Sequence, residues 1–199
     1  MVFMGHYFTN DESLKSEIKK TQIKIGSRDY SFSTDNGVFA KKGLDLGTHI
    51  LLDSLELDQL HGRILDFGCG YGPIGIFIKK EVPTVTVDMV DINQRCLKLA
   101  RENAKANGVD VTIFESDIYA NVDGVYDFII SNPPIRVGKK ILYQILEEAY
   151  DHLVPNGELW IVIHKDQGAK TTAKFLEKDY KVEIKNKSKG FFIIKAVKD

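Results

Sequence analysis

Arg63-Ile64-Leu65-Asp66-Phe67-Gly68-Cys69-Gly70-Tyr71-Gly72-Pro73 passes from a short apolar run into a cluster of glycines, then into a helical pattern carried by Ile76, Phe77 and Ile78. The apolar run has the length of a buried strand. Pro73 suits the first turn of a helix, where its missing N–H would have no intrahelical partner. The glycines between allow positive φ and let backbone come close to a ligand. A helix N-terminus favours an anionic group. Strand, glycine loop and helix in that order open an α/β sheet, whose ligands bind at the carboxyl ends of the strands. A nucleotide-like ligand at this loop is expected on physical grounds alone.

The same alternation continues outward. Residues 85–90, 111–114, 126–130, 159–163, 180–184 and 191–194 read as further strands. Helical patterns cover 45–57, the stretch after Pro73, 93–107 with Gly108 as its stop, 139–152 ended by Pro155-Asn156-Gly157, and 167–178. This predicts a doubly wound, mostly parallel seven-stranded α/β sheet, Rossmann-like in layout. The last two strands have no helix between them and are expected to pair antiparallel. Ahead of this core, Gln22-Ile23-Lys24-Ile25 and Tyr30-Ser31-Phe32-Ser33 flank the turn Gly26-Ser27-Arg28-Asp29 and read as a β-hairpin. Residues 10–20 are charged and expected to be helical or irregular. The expected organisation is one domain over 1–199, with 1–44 as an extension carrying the hairpin and 45–199 as the core.

Composition narrows the function. The chain has 199 residues, 43% hydrophobic and 28% charged, the profile of an ordinary globular protein. Its formal net charge of −1 makes it no polycation, so nucleic acid would have to meet a local basic surface. The lysines at 174, 178, 181, 185, 187 and 189 read as a solvated face. No apolar run approaches the about 20 residues of a membrane span, and the N-terminus lacks the pattern of a signal peptide. A cytoplasmic protein without membrane contact is expected, as a monomer or at most a weak dimer. His6, His49, His61, His152 and His164 have no partner at ligand spacing, so no metal is expected. Cys69 sits in the glycine loop and reads as a small filler, since nothing basic nearby would activate a thiolate.

A second stretch carries the chemistry. Ser131-Asn132-Pro133-Pro134 follows the strand Tyr126-Asp127-Phe128-Ile129-Ile130. Successive prolines remove backbone donors and stop the strand, and Asn132 before Pro133 is pushed to an extended conformation. An amide side chain and free carbonyl oxygens are thereby gathered at a strand end, where they can hold the N–H groups of a planar amine. The glycine loop by itself is ambiguous. Gly70-Tyr71-Gly72-Pro73-Ile74-Gly75 satisfies G-x-G-x-x-G and Asp91 lies where a ribose-binding acid belongs, which is also the pattern of a nicotinamide dinucleotide site. Asp66 offers a carboxylate that either binds donors of the loop or faces a ligand cation through water.

These residues together resemble class I S-adenosylmethionine-dependent methyltransferases. Ile64 to Gly72 is similar to their glycine-rich motif, Asp91 to their ribose-binding acid with Ile92 beside the adenine, Ser116-Asp117-Ile118 to the loop at the adenine amine, and Ser131 to Pro134 to the catalytic motif of the amino-methylating branch. Gly37-Val38-Phe39-Ala40, Gly43-Leu44-Asp45-Leu46-Gly47-Thr48 and Asn132-Pro133-Pro134-Ile135-Arg136 resemble, more narrowly, the catalytic half of small-subunit ribosomal RNA guanine-N2 methyltransferases. The resemblance implies S-adenosyl-L-methionine as cofactor, held by Thr48, Asp66, Gly68, Cys69, Gly70, Asp91, Ile92, Asp117, Ile118 and Asn132. It implies catalysis at Asn132, Pro133 and Pro134. It places Phe39, Lys41, Ile135, Arg136 and Lys139 at the substrate, ribosomal RNA or the small ribosomal subunit. Ile135 stands where adenine-N6 and glutamine methylating relatives carry an aromatic residue that stacks on the target. The competing expectations are methylation of a protein glutamine, a non-catalytic RNA-binding assembly factor on the same fold, and a nicotinamide reductase.

Overall fold

The computed structural model describes residues 17–35 and 44–199. Its main sheet comprises β3 (Arg63–Phe67), β4 (Thr86–Asp91), β5 (Thr112–Glu115), β6 (Tyr126–Ser131), β7 (Leu153–His164), β8 (Tyr180–Ser188) and β9 (Phe191–Lys198). Their order across the sheet is β5-β4-β3-β6-β7-β9-β8. β3 pairs parallel with β4 and β6, β4 with β5, and β6 with β7. β9 is antiparallel to both neighbours and lies between β7 and β8. The antiparallel terminal pair expected from the sequence is present, and the insertion of its second strand into the sheet is an added feature.

Two hydrophobic clusters cover the two faces, and successive strand residues alternate between them. Ile64, Phe128, Trp160 and Ile193 belong to the cluster shared with α1 (Leu46–Ser54), α2 (Pro73–Glu81) and α3 (Gln94–Ala106). Leu65, Ile129, Ile161 and Ile194 belong to the cluster shared with α4 (Lys139–Asp151) and α5 (Ala169–Leu176). Strands buried on both sides are mostly apolar, which is why β3 and β6 read as nearly continuous runs, interrupted only by Asp66 and Asp127.

The hairpin, β1 (Lys19–Ile25) with β2 (Arg28–Thr34), forms its own sheet. It docks on α3 through side chains that imitate a strand edge. Asn103 accepts from Ser33 N at 2.7 Å and donates to Ser33 O at 3.0 Å, while Asn107 accepts from Ser31 N at 3.0 Å and donates to Ser31 O at 2.8 Å. Asn103 also donates to Tyr71 O at 2.8 Å, tying the hairpin to the glycine loop.

Some boundaries differ from the sequence reading. Residues 19 and 20 begin β1 and are neither helical nor irregular. The helix expected over 45–57 is Leu46–Ser54, and the one expected over 167–178 is a 3-10 turn, Lys165–Gln167, followed by Ala169–Leu176. Pro155-Asn156-Gly157 does not end α4, which stops at Asp151. It lies within β7, whose register against β6 jumps from Leu153 opposite Tyr126 to Glu158 opposite Phe128. The turn chemistry was real, with Asn156 at φ 61°, but it serves a bulge. Among the described residues no helix is long and apolar enough to cross a membrane.

Candidate active site

The carboxyl ends of β3, β4, β6 and β7 open into one cavity of about 500 Å³. Its inner half is built by the glycine loop. Gly68 and Gly70 have φ of 70° and 57°, and a Cβ at either would meet no atom within 4 Å, so the loop backbone is bare toward the cavity. Gly72 and Gly75 have the opposite reason to be glycine. A Cβ on Gly72 would come within 2.9 Å of Met89, and one on Gly75 within 2.7 Å, so α2 can approach β4 only without side chains there.

Asp91 ends β4 and lines the cavity. Its Oδ2 accepts from Gly70 N at 2.9 Å and its Oδ1 from Asn93 N at 2.8 Å. Burial pushes this carboxyl up, and the backbone donors act against that shift. Each oxygen keeps a lone pair for a ligand donor. Ile92, Asp117 and Ile118 continue the same wall. Ile118 has φ 52°, a strained value for a β-branched residue. Ser116 stabilises that turn by donating to Ile118 O at 2.9 Å and accepting from Asn121 N at 3.1 Å.

Asp66 is placed differently. It is fully buried and does not line the cavity; Oδ2 accepts from Gly75 N at 2.8 Å and Oδ1 has no partner. Of the two roles open to it from sequence, the geometry provides the bond within the loop–helix unit. Burial raises its pKa to about 7, with Gly75 N–H acting against the shift and Asp91 adding to it. Cys69 is buried in the loop, and burial followed by the nearby Asp66 and Asp91 carboxylates keeps its thiol protonated.

The other half of the cavity begins at the end of β6. Ser131 Oγ donates to Phe67 O at 2.7 Å, locking the ends of β6 and β3 together. Asn132 follows, and its Nδ2 donates to Thr48 Oγ1 at 3.0 Å and lies 3.3 and 3.4 Å from the two oxygens of Asp45. Asp45 is the N-cap of α1: it accepts from Thr48 N at 3.1 Å and from the Thr48 hydroxyl. Pro133, Pro134 and Ile135 line the cavity beyond Asn132, as do Ile141 of α4, His164 of β7 and Phe191 of β9.

The structure thus gathers Thr48, Gly68, Cys69, Gly70, Asp91, Ile92, Asp117, Ile118, Asn132, Pro133, Pro134 and Ile135 around one cavity. Arg136 lies in the 3-10 turn Ile135–Val137, and Lys139 is exposed at the start of α4. Phe39 and Lys41 lie outside the described residues. Sequence reasoning assigned no role to Asp45, His164 or Phe191. Asp45 could have been noticed as a helix cap; no local pattern marks the other two.

Residues 29–195 match the family model of the methyltransferase small domain. The chain belongs to that family. This methyltransferase is 43% identical over 197 residues to the Bacillus subtilis (strain 168) protein YbxB, covering 97% of this chain and 98% of that one. It is 41% identical over 130 residues to ribosomal RNA small subunit methyltransferase C of Pasteurella multocida (strain Pm70), covering 63% of this chain and 39% of that one. In fold it matches the T. thermophilus 16S rRNA N2 G1207 methyltransferase RsmC, solved in complex with AdoMet and guanosine. The TM-score is 0.84 at 21% identity over 94% of this chain and 52% of that one. The methyltransferase therefore spans about two-fifths of the Pasteurella relative and about half of the Thermus one. Family and fold are those of class I S-adenosylmethionine-dependent methyltransferases. The cavity has room and chemistry for that cofactor: bare glycine backbone at Gly68 and Gly70, the Asp91 carboxylate, and apolar lining from Ile92, Ile118 and Ile135.

Proposed function

We propose that this methyltransferase methylates the exocyclic N2 of a guanine in small-subunit ribosomal RNA, as a single catalytic domain working in the cytoplasm. One observation carries the reading: Asn132-Pro133-Pro134 and the Asp91–glycine-loop wall share one cavity. The names of the Pasteurella and Thermus relatives support the choice of substrate.

S-adenosylmethionine, when bound, supplies a methyl group already activated by its sulfonium. What remains for the chain is positioning and electrostatics. Asn132 Oδ1 and the carbonyl oxygens of the turn accept the N–H groups of the target amine. That draws the nitrogen lone pair out of conjugation and fixes its direction. The proton released can pass to water, so no strong general base is needed. A paired guanine must be extruded from its stack before it enters. The decisive experiment is labelled methyl transfer to ribosomal RNA measured beside transfer to a protein glutamine substrate, with mass mapping of nucleosides from a strain lacking the protein. Transfer to the protein alone overturns the RNA reading; cofactor binding with no transfer to either substrate makes the chain an assembly factor.

Asp91 tests the cofactor half. Charge-assisted bonds to ribose hydroxyls are worth roughly 1.5–3 kcal/mol. Asp91→Ala is therefore expected to weaken S-adenosylmethionine binding about tenfold or more in calorimetry. Asp91→Asn, which keeps one acceptor, should lose less. An unchanged affinity in both variants would remove Asp91 from the cofactor site.

The RNA path is tested by salt. Lys139 and Lys140 are exposed beside the catalytic turn. Lys185 is not part of a merely solvated face, since it pairs with Glu56 at 2.8 Å and Glu183 at 3.3 Å. Each phosphate contact adds about 0.7–0.9 to the salt slope of binding. Neutralising Arg136 and Lys139 together should flatten that slope and raise the RNA Michaelis constant, with cofactor affinity intact. An unchanged slope there, with a reduced one after neutralising Lys187 and Lys189, would move the RNA path to the β8–β9 end.

A further inference from the structure

The triangle of Asp45, Thr48 and Asn132 determines which end of an amide faces the reaction. Thr48 has one hydroxyl proton and gives it to Asp45. Toward Asn132 the Thr48 oxygen can therefore only accept, and it does so at 3.0 Å. The Asp45 carboxylate, which is acceptor-only when ionised, lies 3.3 and 3.4 Å from the same nitrogen. Both neighbours thus demand N–H, and only one end of the Asn132 amide supplies it. Nδ2 is held toward α1, and among the described residues no donor meets Oδ1.

We infer that Asp45 is a positioning residue of the methyl-transfer reaction. By taking up the Asn132 amide nitrogen, directly and through Thr48, it commits Oδ1 to the target amine. The inference rests on the proposed role of Asn132 as acceptor. Without Asp45 the amide could turn over, since its two ends differ little in shape. The turned amide would present N–H groups to an amine that is itself a donor. One carboxylate thus serves two purposes, capping α1 through Thr48 N and orienting a side chain 87 residues further along the chain.

The two purposes separate by substitution. Asp45→Asn keeps a good helix cap, because asparagine caps as well as aspartate does. It also puts an NH₂ group next to Asn132 and so removes the demand that fixes the amide. Asp45→Ser keeps a cap with one oxygen and shortens the reach. Both variants are expected to melt close to the wild type and to bind S-adenosylmethionine within about twofold, while kcat on RNA falls about tenfold or more at nearly constant KM. In an Asn132→Ala background the Asp45→Asn change should cost nothing further, as expected for residues acting through one another. The Asn132 side-chain amide protons, assigned in NMR spectra by their loss in Asn132→Ala, should exchange slowly with water in the wild type and quickly in Asp45→Asn. Full kcat in Asp45→Asn while Asn132→Ala is impaired would overturn the inference, as would additive losses in the double variant. Wild-type turnover in Asn132→Ala would instead overturn the reading of Asn132, and the exchange measurement would still show whether Asp45 holds the amide.

Discussion

Asn132→Ala is expected to lower methyl transfer about 10²-fold, by analogy with the loss of one preorganised polar group at a reacting centre. The residue is well placed for so large an effect. Its backbone is set by the following prolines, its neighbour Ser131 locks two strand ends, and its amide nitrogen is already bonded. Little reorganisation is left for the moment of reaction. Cofactor affinity should change by less than about twofold, because the cradle and Asp91 wall belong to other strands. Single-turnover kinetics with saturating cofactor would measure the chemical step directly. Near wild-type rates on the true substrate would show that the amide is not the acceptor.

Asp66 should make the protein less stable as pH rises from about 4 to about 7. Its pKa in the fold, about 7, lies above the ordinary carboxylate value near 3.9. The folded state therefore holds a proton that the unfolded chain gives up. The stabilisation associated with that proton is complete below about pH 4 and is lost as pH passes through 7. A separation of about three pH units corresponds to at most roughly 4 kcal/mol. Asp66→Asn removes the ionisation, keeps an oxygen for Gly75 N, and buries an NH₂ group where Oδ1 had no partner, at a cost of about 1–3 kcal/mol. At pH 8 a net gain of about 1–2 kcal/mol is expected, seen as a rise in Tm of roughly 2–8 °C. Near pH 4 the gain should disappear and the variant should be the weaker protein. Denaturant curves at the two pH values check the sign, and parallel pH profiles for the two proteins would show that Asp66 does not titrate in this range.

Much of this architecture was legible because its signals are local. The buried strands β3 and β6 announce themselves as apolar runs, Gly108 marks the end of α3, and the glycine loop can be read from residue types alone. The motif residues meet in one cavity because the parallel strands all end on the same side. What escaped the reading depends on distant pairing. Pro155-Asn156-Gly157 has turn chemistry whether it ends a helix or bulges from a strand, and only the register with β6 decides. Nothing in Phe191 or His164 tells that their strands lie next to each other. Asp45 has the ordinary look of a helix cap, and its second partner lies on another strand end.

The position of β9 has a consequence for the order of assembly on the ribosome. Residues 191–198 form the strand that separates β7 from β8, and each of these pairs with it rather than with the other. Until those residues have emerged, the far edge of β7 carries unpaired N–H and C=O groups and β8 has no strand to join. The part of the sheet from β5 to β7 can assemble from earlier sequence alone. The pairing of β8 into the sheet and the part of the cavity wall at Phe191 must wait until residues 191–198 are available. A nascent chain stalled before residue 191 would thus display a nearly complete nucleotide cradle beside an open, aggregation-prone sheet edge.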